Sequence, residues 1–263
     1  MCRLFGQHAP PDVDRCQALC RDRNALRFQS HRHPHGWGIA WYQGRRVVVR
    51  RGLLPAHADQ AFVEAAQAAH ARIVVAHVRD ASVGPVTEAN THPFVHGRWV
   101  FAHNGTVARY KRSRAVRDAL LASISPEHRG RLRGETDSER CFQLFLSRLD
   151  LRGGRGRATL AEVRTALAET VARVRAIADR GELRSTLNFL VSDGRLLCAC
   201  RHGKPLHVST GARGGHLFAV ASEPIGRSGW EAVPEDGFVG VDGTLLPLRA
   251  PLGIQCPAPG KVM

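Results

Sequence analysis

Leu187–Val191 (LNFLV), Leu196–Arg201 (LLCACR), Leu206–Ser209 (LHVS), Leu217–Ala221 (LFAVA), Gly237–Val241 (GFVGV) and Thr244–Leu248 (TLLPL) follow one another as short apolar runs. Turn signals such as Ser192-Asp193-Gly194 and Asp242-Gly243 separate them. Runs of this length bounded by Gly, Asp and Ser read as strands, and consecutive strands predict antiparallel pairing. A second group lies upstream. Gly36–Tyr42 (GWGIAWY) and Arg45–Arg51 (RRVVVRR) predict a hairpin around Gln43-Gly44, and Ile73–Val78 (IVVAHV) and Trp99–His103 (WVFAH) are strongly apolar.

Helical patterns fill the middle. Thr159 with Glu162 spells a capping box, followed by Leu160, Val163, Leu167, Val171 and Val174 at helical spacing and by Gly181 as a stop. Thr136 with Glu139 spells a second box ahead of Phe142, Leu146 and Leu149, and further helices are expected over Asp59 to Ala71 and Ser113 to Ile124. Two strand groups around a helical centre predict layers: two mainly antiparallel sheets with helices outside, an α+β fold. With 263 residues and no internal repeat, one domain spanning residues 1–263 is expected.

Hydrophobic content of 43% and charged content of 23% are those of an ordinary globular chain. No apolar run reaches the length of a membrane span, and Arg3 interrupts any signal-peptide pattern at the start, so a cytoplasmic protein without a membrane partner is expected. Seven cysteines, an odd number, fit reduced thiols. Cys16 with Cys20, and Cys198 with Cys200, lack zinc-site spacing and read as packing residues. The run His31-Arg32-His33-Pro34-His35 has a proline inside and no carboxylate beside it, and reads as a loop. No metal and no cofactor is expected. The net charge of +15 raises the alternative of a basic nucleic-acid-binding protein, supported by the Arg/Gly run Leu151–Arg157 (LRGGRGR). Arginines spread along the whole chain disfavour that reading, and nucleic acid is not the expected partner.

The chemistry-bearing residues sit at strand ends and loops. Removal of the initiator methionine, which a small second residue permits, would leave a thiol and a free α-amine together on Cys2. That is a nucleophile and its base in one residue, titrating near ~8.5 and ~7.7–8.0. Arg79 offers a planar fork for a carboxylate, Asn104 and the Gly105 N–H offer an oxyanion hole, and Asp137 offers a partner for a substrate ammonium. Each has a plainer reading. Cys2 suits a buried strand position, Asn104-Gly105 is the favoured type I′ turn dipeptide, Asp137 suits a helix start, and Arg79 is one arginine among many. His77 and His103 read as hydrogen-bonded strand-end residues.

Met1–Gly6 (MCRLFG), Gly36–Ala40 (GWGIA), Ala76–Arg79 (AHVR), Glu88–Phe94 (EANTHPF), Ala102–Thr106 (AHNGT) and Gly134–Glu139 (GETDSE) appear in this order. Together they resemble the class II glutamine amidotransferases, members of the N-terminal-nucleophile hydrolases, and most of all the stand-alone bacterial ones. The likeness is dense over residues 2–149 and looser from Leu187 to Glu223 (NFLVSDG, AVASEP). It implies a four-layer αββα sandwich and cleavage of the γ-amide of glutamine through a γ-glutamyl thioester on Cys2, giving glutamate and ammonia. By the same resemblance Arg79 binds the substrate carboxylate, Asp137 its amino group, and Asn104 with Gly105 the oxyanion. Synthase-linked members carry threonine and histidine after the AHxR arginine; here Ser82, still a hydrogen-bond donor, and Val83 stand there. His35 replaces an acidic residue of many relatives. Two enzyme readings follow: a glutaminase passing ammonia to a separate synthase subunit, or a γ-glutamyl hydrolase acting on a larger metabolite.

Overall fold

The computed structural model describes residues 2–153, 157–211, 217–227 and 229–254. Met1, Cys256 and part of the Arg/Gly run, Gly154-Arg155-Gly156, lie outside them. The strands are β1 (Arg3–His8), β2 (Trp37–Gln43), β3 (Arg46–Gly52), β4 (Ile73–Val78), β5 (Phe94–His96), β6 (Trp99–Thr106), β7 (Thr186–Ser192), β8 (Leu197–Cys200), β9 (His207–Ser209), β10 (Phe218–Ala221), β11 (Trp230–Ala232), β12 (Gly237–Val241) and β13 (Leu248–Pro251). The α-helices are α1 (Leu26–Gln29), α2 (Gln60–Ala68), α3 (Arg114–Ala122), α4 (Pro126–Arg129), α5 (Asp137–Asp150) and α6 (Leu160–Ala178).

The strands form a seven-stranded sheet in the order β11-β9-β10-β1-β4-β2-β3 and a six-stranded sheet in the order β13-β12-β8-β7-β6-β5. Every pairing between them is antiparallel. The period-2 alternation of strand side chains decides the layers. Leu4, Ala40, Val75, Val100, Ala102, Leu190 and Val220 meet between the two sheets. Their strand neighbours Phe5, Ile39, Trp41, Val74 and Ala76 face outward onto Phe62 and Ala65 of α2. Phe101, Phe189 and Val191 face the other way, onto Phe142, Phe145, Val171 and Val174 of α5 and α6. The result is the αββα sandwich. Phe142 stacks on Phe101 at 5.1 Å, and truncating such a buried ring to alanine costs about 3–5 kcal/mol. Gly6 keeps the sheets close, because a Cβ there would lie 2.8 Å from the Leu190 side chain.

Local signals hold in part. Thr159 and Glu162 form the full capping box of α6, and Gly181 follows with φ +54°. Thr136 caps α5 by accepting from the Glu139 N–H at 3.2 Å, but the Glu139 carboxylate does not return to Thr136. It accepts instead from the N–H groups of Arg133 and Gly134 at 2.8 and 2.7 Å, so the second box is only half formed. The loop before α5 runs close enough to use that carboxylate. The β2–β3 hairpin pairs Gln43 with Arg46, which places the turn at Gly44-Arg45. Gly44 supplies the left-handed conformation with φ +59°.

One expected strand and one plainer alternative are overturned. Thr244–Leu248 is not a strand: Asp242 Oδ1 accepts from the Thr244 N–H and hydroxyl at 2.9 and 2.7 Å, Leu245 turns with φ +58°, and β13 begins at Leu248. An aspartate turn outcompetes extension there. Asn104-Gly105 is not a turn either. Both residues continue β6, opposite Asn188 and Leu187 of β7. A Cβ on Gly105 would lie 1.8 Å from the Thr186 carbonyl oxygen, so glycine is required here for close approach rather than for reversal.

Candidate active site

Cys2 lies immediately before β1, which runs between β10 and β4 in the larger sheet. The segments leaving β4 and β10 therefore flank it from opposite sides. On the β4 side the Asp80 N–H donates to Cys2 Sγ at 3.3 Å, and the thiol lies 3.5 Å from the Asp80 carbonyl oxygen. Cys2 is half-buried. Burial pushes its thiol up, while the Asp80 backbone hydrogen bond and the nearby Arg79 charge pull against that rise. His35 braces this loop, accepting from the Ala81 N–H at 3.1 Å and lying 3.3 Å from the Asp80 carboxylate.

Arg79 is buried rather than one of the surface arginines. Its guanidinium donates to the carbonyls of Pro85, Val83 and Gly84 at 3.0, 3.1 and 3.3 Å. Burial lowers its pKa, and Cys2 and Asp137 counter that, so both lie within its electrostatic reach. Asp137 opens α5, where the helix dipole favours a carboxylate. It is buried, with Oδ2 accepting from the Val107 N–H at 2.8 Å and Oδ1 from the Ser138 N–H at 2.9 Å. Asn90 joins the two supports: its amide donates to the Pro85 carbonyl at 3.1 Å and accepts from the Glu135 N–H at 2.8 Å. The loop that grips Arg79 and the loop that presents Asp137 thus share one side chain. Ser82, in the same 81–85 loop, is exposed.

Asn104 reaches the site from the smaller sheet. It is buried, and its Nδ2 donates to Ser222 Oγ at 3.0 Å, leaving the second N–H of that amide for another acceptor. β5 pairs β6 only from Trp99 to Phe101, so the other edge of β6 carries no strand past that point among the described residues. The Thr106 N–H points toward β7, donating to Thr186 Oγ1 at 3.1 Å. Along an antiparallel strand successive N–H groups alternate in direction, which turns the Gly105 N–H to the open edge.

Sequence reasoning missed the β10 side. Ser222 Oγ also accepts from the Leu4 N–H at 3.0 Å. Glu223 forms an ion pair with Arg3, whose Nη1 donates to the Cys2 carbonyl at 3.1 Å, and accepts from Asn24 Nδ2 at 3.2 Å. Burial alone would raise the Glu223 carboxyl, but Arg3 and Asn24 hold it below its usual value. Both residues fall in AVASEP, where the only sequence signal was the looser resemblance.

Behind the site sit buried histidines. His77 stacks on His92 at 4.1 Å and lies 3.2 Å from the His103 carbonyl; burial brings its pKa down to about 3. His103 bonds Ser138 Oγ at 2.9 Å and the Thr186 carbonyl at 3.0 Å. Both are buried and hydrogen-bonded, as their strand-end positions predict. The 31–35 histidines diverge: His31 stacks on His57, and His35 serves the Asp80 loop. Among the described residues the one group of three potential metal ligands is His202, Glu235 and Asp236, where His202 and Asp236 bond each other at 2.6 Å.

The family model for Glutamine amidotransferases class-II matches residues 1–213. A probable glutamine amidotransferase of Saccharomyces cerevisiae is 29% identical over 78% of this chain and 68% of its own. A putative glutamine amidotransferase of Escherichia coli is 31% identical over 76% of this chain and 72% of its own. The gamma-glutamyl-hercynylcysteine sulfoxide hydrolase of Mycobacterium tuberculosis is 30% identical over 87% and 85%. Among solved structures, a glutamine aminotransferase class-II domain protein from Silicibacter pomeroyi superimposes with TM-score 0.66 at 22% identity, covering 95% of this chain and 98% of that one. The PRPP amidotransferase of B. subtilis superimposes with TM-score 0.63 at 15% identity, over 96% of this chain and 50% of that one. The chain belongs to the class II glutamine amidotransferases, and its fold is that of the N-terminal-nucleophile amidotransferases. No described helix is long and apolar enough to cross a membrane.

Proposed function

We propose that this chain, read as one glutamine amidotransferase domain, cleaves a γ-glutamyl amide through a thioester on Cys2. The observation that carries the reading is the position of Cys2 Sγ, at the head of a central strand and beside Asp80, with Arg79 and Asp137 on one flank and Asn104 reaching in from the other sheet. With Met1 removed, the α-amine of Cys2 takes the thiol proton and the sulfur attacks the γ-carbonyl carbon. The second Asn104 N–H and the Gly105 N–H receive the negative charge that develops on the carbonyl oxygen. The tetrahedral intermediate collapses, the protonated amine returns its proton to the leaving nitrogen, and the thioester remains. Water, deprotonated by the same amine, then releases glutamate and free Cys2. Arg79 and Asp137 hold the α-carboxylate and α-ammonium of the γ-glutamyl group, and Ser82 adds a hydrogen bond from the loop.

With glutamine the released amine is ammonia, either lost to water or passed to a separate synthase subunit. The mycobacterial relatives, matched along most of both chains and named as γ-glutamyl hydrolases, favour a second reading in which the leaving amine is a larger molecule. A turnover assay on N-terminally processed protein decides between them. Efficient release of ammonia from glutamine supports the first; negligible ammonia release together with cleavage of substituted γ-glutamyl amides supports the second. No turnover of either kind overturns both.

A further inference from the structure

A groove of about 1000 Å³ opens on the β10 side of the site, between the 23–32 segment and the turn after β10. Arg23, Arg32 and Arg227 line it, together with Asn24, Phe28 and Gln29. All three arginines are exposed, and among the described residues none of their guanidiniums makes a hydrogen bond or an ion pair. The acid beside them, Glu223, is already committed to Arg3 and Asn24. The groove thus carries three guanidiniums, and the acids near it are Glu223, within reach of Arg32 but paired to Arg3, and Asp22 beside Gly226. Phe28, 49% exposed, adds an apolar face. Gln29 is buried, donates from Nε2 to the Asn24 carbonyl at 2.7 Å, and has no donor for its Oε1.

A chain of contacts joins the groove to the residues beside Cys2. Arg3 touches the Cys2 carbonyl, Glu223 holds Arg3, and Asn24 bonds Glu223 and lines the groove. Strand order fixes its side. Arg79 follows β4 and Glu223 follows β10, on opposite flanks of β1. A γ-glutamyl group held at Arg79 with its scissile amide over Cys2 would turn its leaving nitrogen toward the β10 side.

We propose that this groove binds the leaving amine of the substrate and selects one that carries a negative charge, such as the carboxylate of an amino acid or short peptide. The inference rests on the Cys2 reading above and narrows its second form. Three guanidiniums around one anion give an attraction that is partly screened by water and salt. Ammonia, the leaving group of glutamine, leaves this groove unused.

The test compares kcat/KM for γ-glutamyl-glycine and γ-glutamyl-glycinamide, which differ by one terminal charge. Processed wild-type protein is expected to prefer the charged substrate by about tenfold at low salt, a ratio typical of a few half-exposed ion pairs. The preference should shrink in 0.5 M salt, as the Debye length falls to ~4 Å. It should approach unity in a protein carrying Arg23→Gln, Arg32→Gln and Arg227→Gln, substitutions at exposed side chains that hold no partner in the fold. Equal use of the two substrates by wild type, or a preference that survives the triple substitution, overturns the groove assignment while leaving the Cys2 chemistry standing. No cleavage of any γ-glutamyl amide, glutamine included, overturns both and is recognised by that breadth.

Discussion

The Asn104 amide of the smaller sheet donates to the Ser222 hydroxyl of the larger one at 3.0 Å, and the same hydroxyl accepts from the Leu4 N–H at 3.0 Å. One buried oxygen thus fixes the rotation of the amide proposed for the oxyanion hole and ties it to the strand that follows Cys2. Ser222→Ala leaves two buried donors without that acceptor, at a cost of about 1–3 kcal/mol in stability. Its kcat should fall roughly tenfold or more with KM changed little, because the amide is misplaced against charge that develops only in the transition state. Steady-state kinetics on the variant checks this; a rise confined to KM contradicts it.

Arg79 is held by three carbonyl oxygens of the 83–85 loop, which orient its fork. Lysine keeps the charge but loses the planar, bidentate geometry. Arg79→Lys should raise KM by roughly tenfold to a hundredfold, on the order of one to two strong charged hydrogen bonds. Unchanged KM with a reduced kcat would place Arg79 outside substrate binding.

Gly105→Ala puts a methyl group 1.8 Å from the Thr186 carbonyl oxygen and 2.6 Å from His103 Nε2. Backbone cannot yield as a flexible side chain does, so β6 and β7 must separate locally. The expected loss is about 3 kcal/mol or more, seen as a lower urea midpoint and a fall in Tm of several degrees. A variant with wild-type stability would contradict the strand register.

Stability should fall with acid before the carboxylates titrate. Burial brings His77 down to about 3 and, with the nearby Arg72, His8 down to about 4, and it holds His92 far below the usual range. Above pH 6.5 these rings are neutral whether the chain is folded or unfolded, and they cost nothing. Between pH 6.5 and about 4 the unfolded chain binds protons that the folded one refuses, so the unfolding free energy drops as pH falls. Each such ring removes up to about 1.4 kcal/mol per pH unit in that window. Denaturation midpoints measured from pH 7.5 to 4.5 check the sign; a flat profile contradicts it.

The layers were legible because apolar runs with alternating faces can serve only sheets covered on both sides, and because Thr159 and Glu162 signal a helix start through hydrogen bonds local to the sequence. The partition of strands was not legible. Residues 187–248 look like one continuous meander, yet β7, β8, β12 and β13 join the smaller sheet while β9, β10 and β11 join the larger one. That choice depends on which inner face each strand packs against, and spacing along the chain carries no trace of it. The short strands β5 and β11 gave no periodic signal. Likewise Asn104-Gly105 looks like a turn by local propensity, and the tertiary pairing with Asn188 and Leu187 overrides it. At the site, Cys2, Arg79, Asn104 and Asp137 stood out by residue type, whereas Ser222, Glu223 and the Asp80 backbone act through contacts 78 to 220 positions apart in sequence.

The central claim is that Cys2, freed of Met1, is the nucleophile of a γ-glutamyl site. Peptide mass mapping of the N-terminus after treatment with a diazo-ketone analogue of glutamine tests it most directly. One analogue per chain, attached to a Cys2 that begins the polypeptide, is the predicted result. A retained Met1 in protein that still turns over γ-glutamyl amides, or an adduct on any other cysteine with Cys2 unmodified, would contradict it.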